Sequence, residues 1–410
     1  MQTYDSYKNS GIDWLGEIPS HWECKRLGNW FEERREKVSD KDFEPLSVTK
    51  NGIVPQLENA AKSNDGDNRK LVKKGDFVIN SRSDRKGSSG LSPLDGSVSL
   101  INIVMKPRKV NGIFINHLLK SNGFIEEFYR NGHGIVADLW TTRYDEMKFI
   151  YLAIPPITEQ EAIAVFLDEK CGKIDQLVSV KDQQIALLKE RRQVVIHEAV
   201  TKGIQPNVEM KDSGIDWIGE IPKLWEVKRL KYGFELINEK VNSKESCLKY
   251  FGMENIESWT GKYIETTSEV EGLASIFYKG NILFGKLRPY LAKVHLSEMD
   301  GICSSEFLVF NTTKMNGKYS RHLLVSPEFI KAVNASTYGA KMPRASVDFV
   351  KNMIIPIPPI SEQEAIVSYL DEQTGKIDQA IALKTQQIEK LKAYKQSLIN
   401  EVVTGKVKVA

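Results

Sequence analysis

The chain has 410 residues, 27% of them charged and 41% hydrophobic, with a formal net charge of +3. That length exceeds one ordinary core and predicts two or more domains, and the composition is that of a globular chain rather than a disordered one. Apolar runs such as "FIYLAI" at 149–154 are too short to span a bilayer, the first ten residues show no secretory pattern, and the four scattered cysteines fit a reducing compartment and argue against a thiolate metal site.

In chain order, the first distinctive phrase is "SGIDWLGEIPSHW" at 10–22. It returns as "SGIDWIGEIPKLW" at 213–225, with ten of thirteen positions identical. Trp14, Trp22, Trp217 and Trp225 read as anchors that fix this segment to its domain rather than as platforms for a stacked base. After each phrase comes a divergent stretch with short β-type runs: "FVIN", "SLINIVM" and "FIYLAI" in the first, "ILF", "EFLVF" and "MIIPI" in the second. Short helices are predicted at 114–130 and 320–334.

Cations gather in these divergent stretches. Across 68–87 seven Lys/Arg face two Asp, and across 279–293 four face no acid. Arg82, Arg85 and Lys86 follow one predicted strand, and Lys286, Arg288 and Tyr290 follow its counterpart. Arg143 near the end of one stretch, and Lys341 and Arg344 near the end of the other, are comparable. A guanidinium donates two parallel hydrogen bonds, which suits guanine O6/N7 and phosphate oxygens. These nine residues are therefore the candidate nucleic-acid contacts.

A second repeated phrase closes each stretch. "IPPITEQEAIAVFLDEKCGKIDQ" (154–176) returns as "IPPISEQEAIVSYLDEQTGKIDQ" (357–379), with seventeen of 23 positions identical and the same offset of 203. Thr158 three before Glu161, and Ser361 three before Glu364, predict capping boxes at two helix starts. Gly172 and Gly375 predict a break or kink a few turns later. Beyond them a 4-3 spacing runs through Ile174, Val178, Lys181, Ile185, Leu188, Arg192, Val195 and Ala199, and through Ile377, Ile381, Lys384, Ile388, Leu391, Lys395, Leu398 and Val402. That is a coiled-coil seam, with basic exceptions at matching places. Helices over 173–200 and 376–403 would each be roughly 40 Å long. Ile174, Ile185, Leu188, Ile377, Ile388 and Leu391 are the expected spacer and subunit-interface residues.

The ends also match. Joining "TGKVKVA" to "MQTYDSYKNSGIDW" rebuilds a linker like "TKGIQPNVEMKDSGIDW". The predicted architecture is mixed α/β (α+β). It comprises a first domain at 1–153, a helical region at 154–203, a second domain at 204–356 and a helical region at 357–410. The two long helices would be antiparallel and the whole pseudo-twofold and circular in order. Catalytic signatures are missing: the six histidines form no H-E-x-x-H, and there is no Gly-rich nucleotide loop.

This order of parts, with "GIDWLGEIP..W", "PPI(T/S)EQEAI...LDE", "GKIDQ" and "VVTGK", resembles the specificity subunit of type I restriction–modification enzymes along nearly the whole chain. The resemblance implies two target-recognition domains, each reading one half of a split duplex DNA site. It implies helices that carry two modification (methyltransferase) subunits, with restriction (nuclease and translocase) subunits joining a larger complex. It implies a cytoplasmic, non-catalytic chain with no cofactor of its own, S-adenosylmethionine and ATP–Mg²⁺ belonging to the partners. A protein-binding scaffold that never touches DNA is the alternative.

Overall fold

A computed structural model describes residues 2–58, 66–134, 140–266, 272–312, 314–339 and 341–409. The chain divides into two compact units, Met1–Lys181 with Gln386–Ala410, and Asp182–Thr385. Each unit has its own hydrophobic cores.

The first unit holds an antiparallel four-stranded sheet in the order Ser89–Leu91, Phe77–Asn80, Asn102–Pro107, Phe31–Glu33. A three-stranded sheet (Gly96–Val98, Arg69–Val72, Lys37–Val38) and a hairpin (Leu46–Thr49, Gly52–Pro55) accompany it. The second unit has two four-stranded sheets. One runs Glu235–Ile237, Phe307–Asn311, Ile282–Gly285, Val294–Leu296; the other runs Lys240–Asn242, Leu273–Phe277, Gly301–Ser304, Tyr250–Phe251. Each of the six apolar runs read from the sequence supplies residues to a strand, FVIN and ILF over their whole length and the other four from their second to fourth residue on. Each predicted short helix is instead two: Gly112–Leu119 then Asn122–Arg130, and Gly317–Leu324 then Pro327–Ala335. Ser121 caps the second of the first pair, accepting from Phe124 N–H, and Pro327 opens the second of the other pair, where its missing N–H costs nothing.

The long helices run Ile157–Lys202 and Ile360–Val403 without interruption. Two expectations are corrected here. The helices do not break at Gly172 and Gly375, because one glycine costs a helix only about 1 kcal/mol and the buried seam residues Ile174 and Ile377 beside them hold it. At 46 and 44 residues they are roughly 65–70 Å long, not 40 Å. The capping boxes are also absent. Each helix starts at the Pro-Pro pair, where Pro156 O accepts from Glu159 and Gln160 N–H, and Pro359 O from Glu362 and Gln363 N–H. Thr158 and Ser361 therefore lie inside the first turn.

The helix segments in each unit are antiparallel. In the first unit Lys181 Nζ donates to Gln387 Oε1 (2.6 Å) and Lys395 Nζ to Asp175 (2.7 Å), so numbers fall on one helix as they rise on the other. In the second, Lys384 Nζ donates to Gln184 Oε1 (2.7 Å) and Arg192 Nε lies 3.6 Å from Asp378. Every seam residue is buried or half-buried, whereas most of their neighbours on the same helix are exposed. The three seam lysines are thus satisfied by polar groups across the pair, whereas Arg192 donates Nη1 to Trp259 O (3.2 Å) and leaves its Nε without a hydrogen bond.

The repeated phrases meet each other. The strand after each second Trp pairs with the strand before each Pro-Pro: Glu23–Arg26 with Tyr151–Ile154, and Glu226–Arg229 with Ile354–Ile357. Trp22 Nε1 donates to Glu159 Oε1 (3.1 Å), and Trp225 Nε1 to Glu362 Oε2 (2.8 Å). The same indoles rest on the glycine that ends the opposite helix: a Cβ on Gly405 would come within 3.3 Å of Trp22, and one on Gly203 within 3.3 Å of Trp225. Both glycines have φ of +75°, the left-handed turn that closes a helix. Chain ends complete the first unit, where Lys408 N–H donates to Gln2 O (2.9 Å) and Lys406 Nζ to Leu15 O (2.9 Å). Trp14 packs edge-on against Phe124 and Trp217 against Phe329, as anchors do.

Two further residues of the second phrase hold the short helices. Gln160 Oε1 accepts from Asn111 N–H and Gln363 Oε1 from Asn316 N–H (2.8 Å each). Those asparagines are the N-caps of Gly112–Leu119 and Gly317–Leu324. His117 Nε2 lies 2.8 Å from Asp168, and His322 Nε2 3.9 Å from Asp371. Burial pushes His322 down from the ordinary 6.5 to about 4, against the pull of Asp371. Asp371 is held below the usual carboxylate range by the neighbouring His322 and by Lys318.

Stability should follow the His322 imidazole. Above pH 6.5 it is neutral in folded and unfolded chains, and its contribution is complete. As pH falls from 6.5 towards 4 the unfolded chain takes up a proton that the folded one refuses, so up to about 3 kcal/mol is lost. Denaturant melts between pH 7 and 4 should show this loss, and His322→Gln should flatten the slope in that window. An unchanged slope in the variant would show that His322 is already charged in the fold.

Candidate nucleic-acid interface

In both units the divergent stretch builds the same backbone ladder beside the four-stranded sheet. In the first, Thr142 N–H donates to Ser81 O and Ser83 N–H to Trp140 O (3.0 Å each), which sets Arg82 opposite Thr141. Thr141 is also paired with His133. In the second, Ala345 N–H donates to Lys286 O (2.9 Å) and Arg288 N–H to Pro343 O (2.7 Å), which sets Leu287 opposite Arg344. Arg344 is in turn paired with Tyr338. Segments that lie far apart in sequence, 81–86 with 140–143 and 286–290 with 341–345, are thereby joined at one edge of each unit.

This ladder positions every candidate contact residue. Arg82 and Arg143 are exposed; the Arg143 backbone N–H donates to Glu146 Oε2 (2.6 Å). Arg85 lies 3.6 Å from Asp84 while remaining largely exposed. Lys86 is paired with Glu126 at 2.7 Å and lies over the Tyr129 ring. In the second unit Arg288, Tyr290 and Lys341 are exposed, and Lys286 is half-buried. Arg344 is bound by Glu306 through two bonds, Nε to Oε2 (3.1 Å) and Nη2 to Oε1 (3.0 Å). The counterpart of Arg288 on the ladder is Ser83, and that of Arg82 is Leu287. The two cationic segments therefore occupy the same place without matching residue by residue.

Sequence reading missed Glu306, Tyr338 and Met342 in one unit, and His133, Trp140 and Thr141 in the other. A signal for them existed. The offset between halves shortens from 205 at His133/Tyr338 to 203 at Thr141/Arg344, so the second hairpin is two residues tighter. The spacer residues Ile174, Ile377 and Ile388 are buried and Ile185, Leu188 and Leu391 half-buried on the seam. They face the partner helix. As an outward docking surface for other subunits they are already used.

Arg288 has a backbone strain of its own. Its φ is +49°, and Ala292 four residues on has φ of +47°. Left-handed backbone is disfavoured for side chains with a Cβ. Together these two turns brace Pro289–Leu291 and turn Tyr290 outward, 46% exposed.

No group of His, Cys, Asp and Glu among the described residues could hold a metal ion, and no described helix is long and apolar enough to cross a membrane. Residues 222–393 match the family model described as type I restriction modification DNA specificity domain. The type I restriction enzyme MjaVIII specificity subunit of Methanocaldococcus jannaschii is 24% identical over 337 residues, covering 76% of this chain and 74% of that protein. The EcoDI specificity subunit of Escherichia coli is 24% identical over 310 residues, 68% of each chain. A solved chain described for the complex assembly and conformational transition of the type I R-M system superposes with a TM-score of 0.70 at 14% identity, covering 95% of this chain and 99% of that one. Over residues 222–393, and in fold along most of its length, the chain is thus similar to type I restriction enzyme specificity subunits.

The strained turn offers a separable test of Arg288. Arg288→Gly relieves the left-handed backbone but frees the unfolded chain, so the variant should be as stable as the parent or up to about 1 kcal/mol more stable. Denaturant melts measure this. A clear loss of stability would mean that the Arg288 side chain holds the fold together rather than standing ready for a ligand.

Proposed function

We propose that the chain selects the DNA target of a type I restriction–modification complex, each unit reading one half of a bipartite duplex site through its ladder edge. The observation that carries this reading is the pair of matching ladders: one backbone arrangement, built twice, carrying different exposed cations and aromatics. A shared frame with different side chains is what two readers of different sequences require. Base contacts specify and phosphate contacts position, and arginine can do either. Arg82, Arg85 and Arg143 would serve the first half-site, and Lys286, Arg288, Tyr290 and Lys341 the second. Linking two readers in one chain makes the second binding event intramolecular, so two modest readers yield a tight and specific pair.

The partners belong to the same reading. Two modification subunits would dock on the helical regions, using faces other than the filled seam, and restriction subunits would join them. S-adenosylmethionine and ATP–Mg²⁺ would bind in those partners, and the complex would act in the cytoplasm. A scaffold that never touches DNA has no use for two cationic edges built on one frame.

Methylome sequencing of cells carrying the chain with its modification partner is the test. It should reveal one split motif with an unspecified spacer. Replacing residues 20–150 by the equivalent stretch of a relative should change one half of that motif and leave the other intact. A swap that alters both halves would show that the readers are coupled, and absence of any split motif would overturn the reading.

A further inference from the structure

The ladder edge of the second unit contains one acid where a DNA reader should have none. Glu306 is half-buried beside Lys286 and Arg344, and its backbone O accepts from Lys286 N–H (2.9 Å). Its carboxylate grips Arg344 side-on through Nε and Nη2. A guanidinium has five N–H donors. This grip uses one on Nε and one on Nη2, leaving both on Nη1 and the second on Nη2. Those three lie at the far end of the group, where they form a second fork. Such an end-on fork matches the paired acceptors O6 and N7 of guanine in the major groove.

The first unit shows what the same rung looks like without the pair. There Thr141 stands for Arg344 and Ile101 for Glu306, with Ser81 N–H donating to Ile101 O (3.2 Å) as Lys286 N–H does to Glu306 O. Acid and base are thus present together in one unit and absent together in the other, on an otherwise matching frame. Solvent-accessible ion pairs such as this half-buried one contribute little to stability, and a lone carboxylate on this edge would repel phosphates. Both facts argue that Glu306 is there for the arginine.

We propose that Glu306 is a positioning residue that aims Arg344 end-on at a guanine in the second half-site, making that rung a specificity determinant of this unit alone. The proposal rests on the reading above that the ladder edges contact DNA. Without Glu306 the guanidinium is free to swing to a phosphate, which holds DNA but distinguishes no base.

The test uses the complete complex. Methylation motifs are compared in cells carrying wild type, Glu306→Gln or Arg344→Lys, and the purified complexes are titrated against the cognate duplex and its single-base variants at several salt concentrations. Glu306→Gln should relax discrimination at one G·C pair of the second half-site by about ten-fold or more, leave the first half-site unchanged, and strengthen binding to unrelated duplexes. Arg344→Lys retains the charge and the partner but has no fork, and should relax the same position. A merely structural ion pair would lower stability without selecting one base pair. If Glu306→Gln does not fold, Arg344→Lys decides alone. An intact split motif that neither variant alters overturns this inference and leaves the general reading standing; lack of any split motif in wild type overturns both.

Discussion

The fold depends on an indole donating to a carboxylate. Trp22 and Trp225 come from the first repeated phrase, and Glu159 and Glu362 from the second. Each bond ties the opening of a unit to the first turn of one long helix, while the same indole covers the glycine at the last turn of the other. One side chain therefore registers a helix start against a helix end, and this can occur only if the helices are antiparallel. The first turn of a helix also favours a negative charge, which adds to the bond. In the first unit His21 (2.8 Å) and the Tyr4 hydroxyl share the same carboxylate.

With this joint in place, the remaining residues of the second phrase acquire specific tasks. Gln160 and Gln363 dock the N-caps of the short helices, and Asp168 and Asp371 meet the histidines on those helices. The divergent stretch is thus clipped to the long helix at three points, all made by residues that repeat. Nothing in these clips involves the ladder edge. The edge can change its side chains, as Thr141 and Arg344 or Ile101 and Glu306 show, while the attachment is preserved. This separation gives a physical reason for a chain that repeats its joints and varies its surfaces.

Much of this was legible in the amino-acid order. The 4-3 seam with its matched basic residues, the two-part repeat and the approximate place of six apolar strands follow from the pattern of apolar residues, which reports burial directly. Capping was not legible: the Thr158/Glu161 spacing is that of a capping box, but Pro155 and Pro156 already set the chain into the helix, and Glu159 and Gln160 are engaged elsewhere. Gly172 misled for a related reason. A glycine weakens an exposed helix by about 1 kcal/mol, too little to break one held by a long seam. The cations were found but not their arrangement. Arg344 meets Leu287 only through a hairpin, and Glu306 reaches it from the turn before Phe307–Asn311, so the grouping is a property of topology. The clip formed by "NHLLKS" and "RHLLVS" with Asp168 and Asp371 lay in a shorter repeat within the divergent stretches.

The joint itself is open to direct measurement in the second unit, where Trp225 Nε1 donates to Glu362. A double-mutant cycle of Trp225→Phe and Glu362→Gln, followed by denaturant melts, isolates the bond from the packing lost with the larger ring. The account predicts a coupling of about 1–3 kcal/mol, as expected for a hydrogen bond to a charged group. It also predicts that amide exchange accelerates at the first turn of Ile360–Val403 in either single variant. Additive losses, with exchange at that turn unchanged, would contradict the claim that this bond registers the helix against its unit.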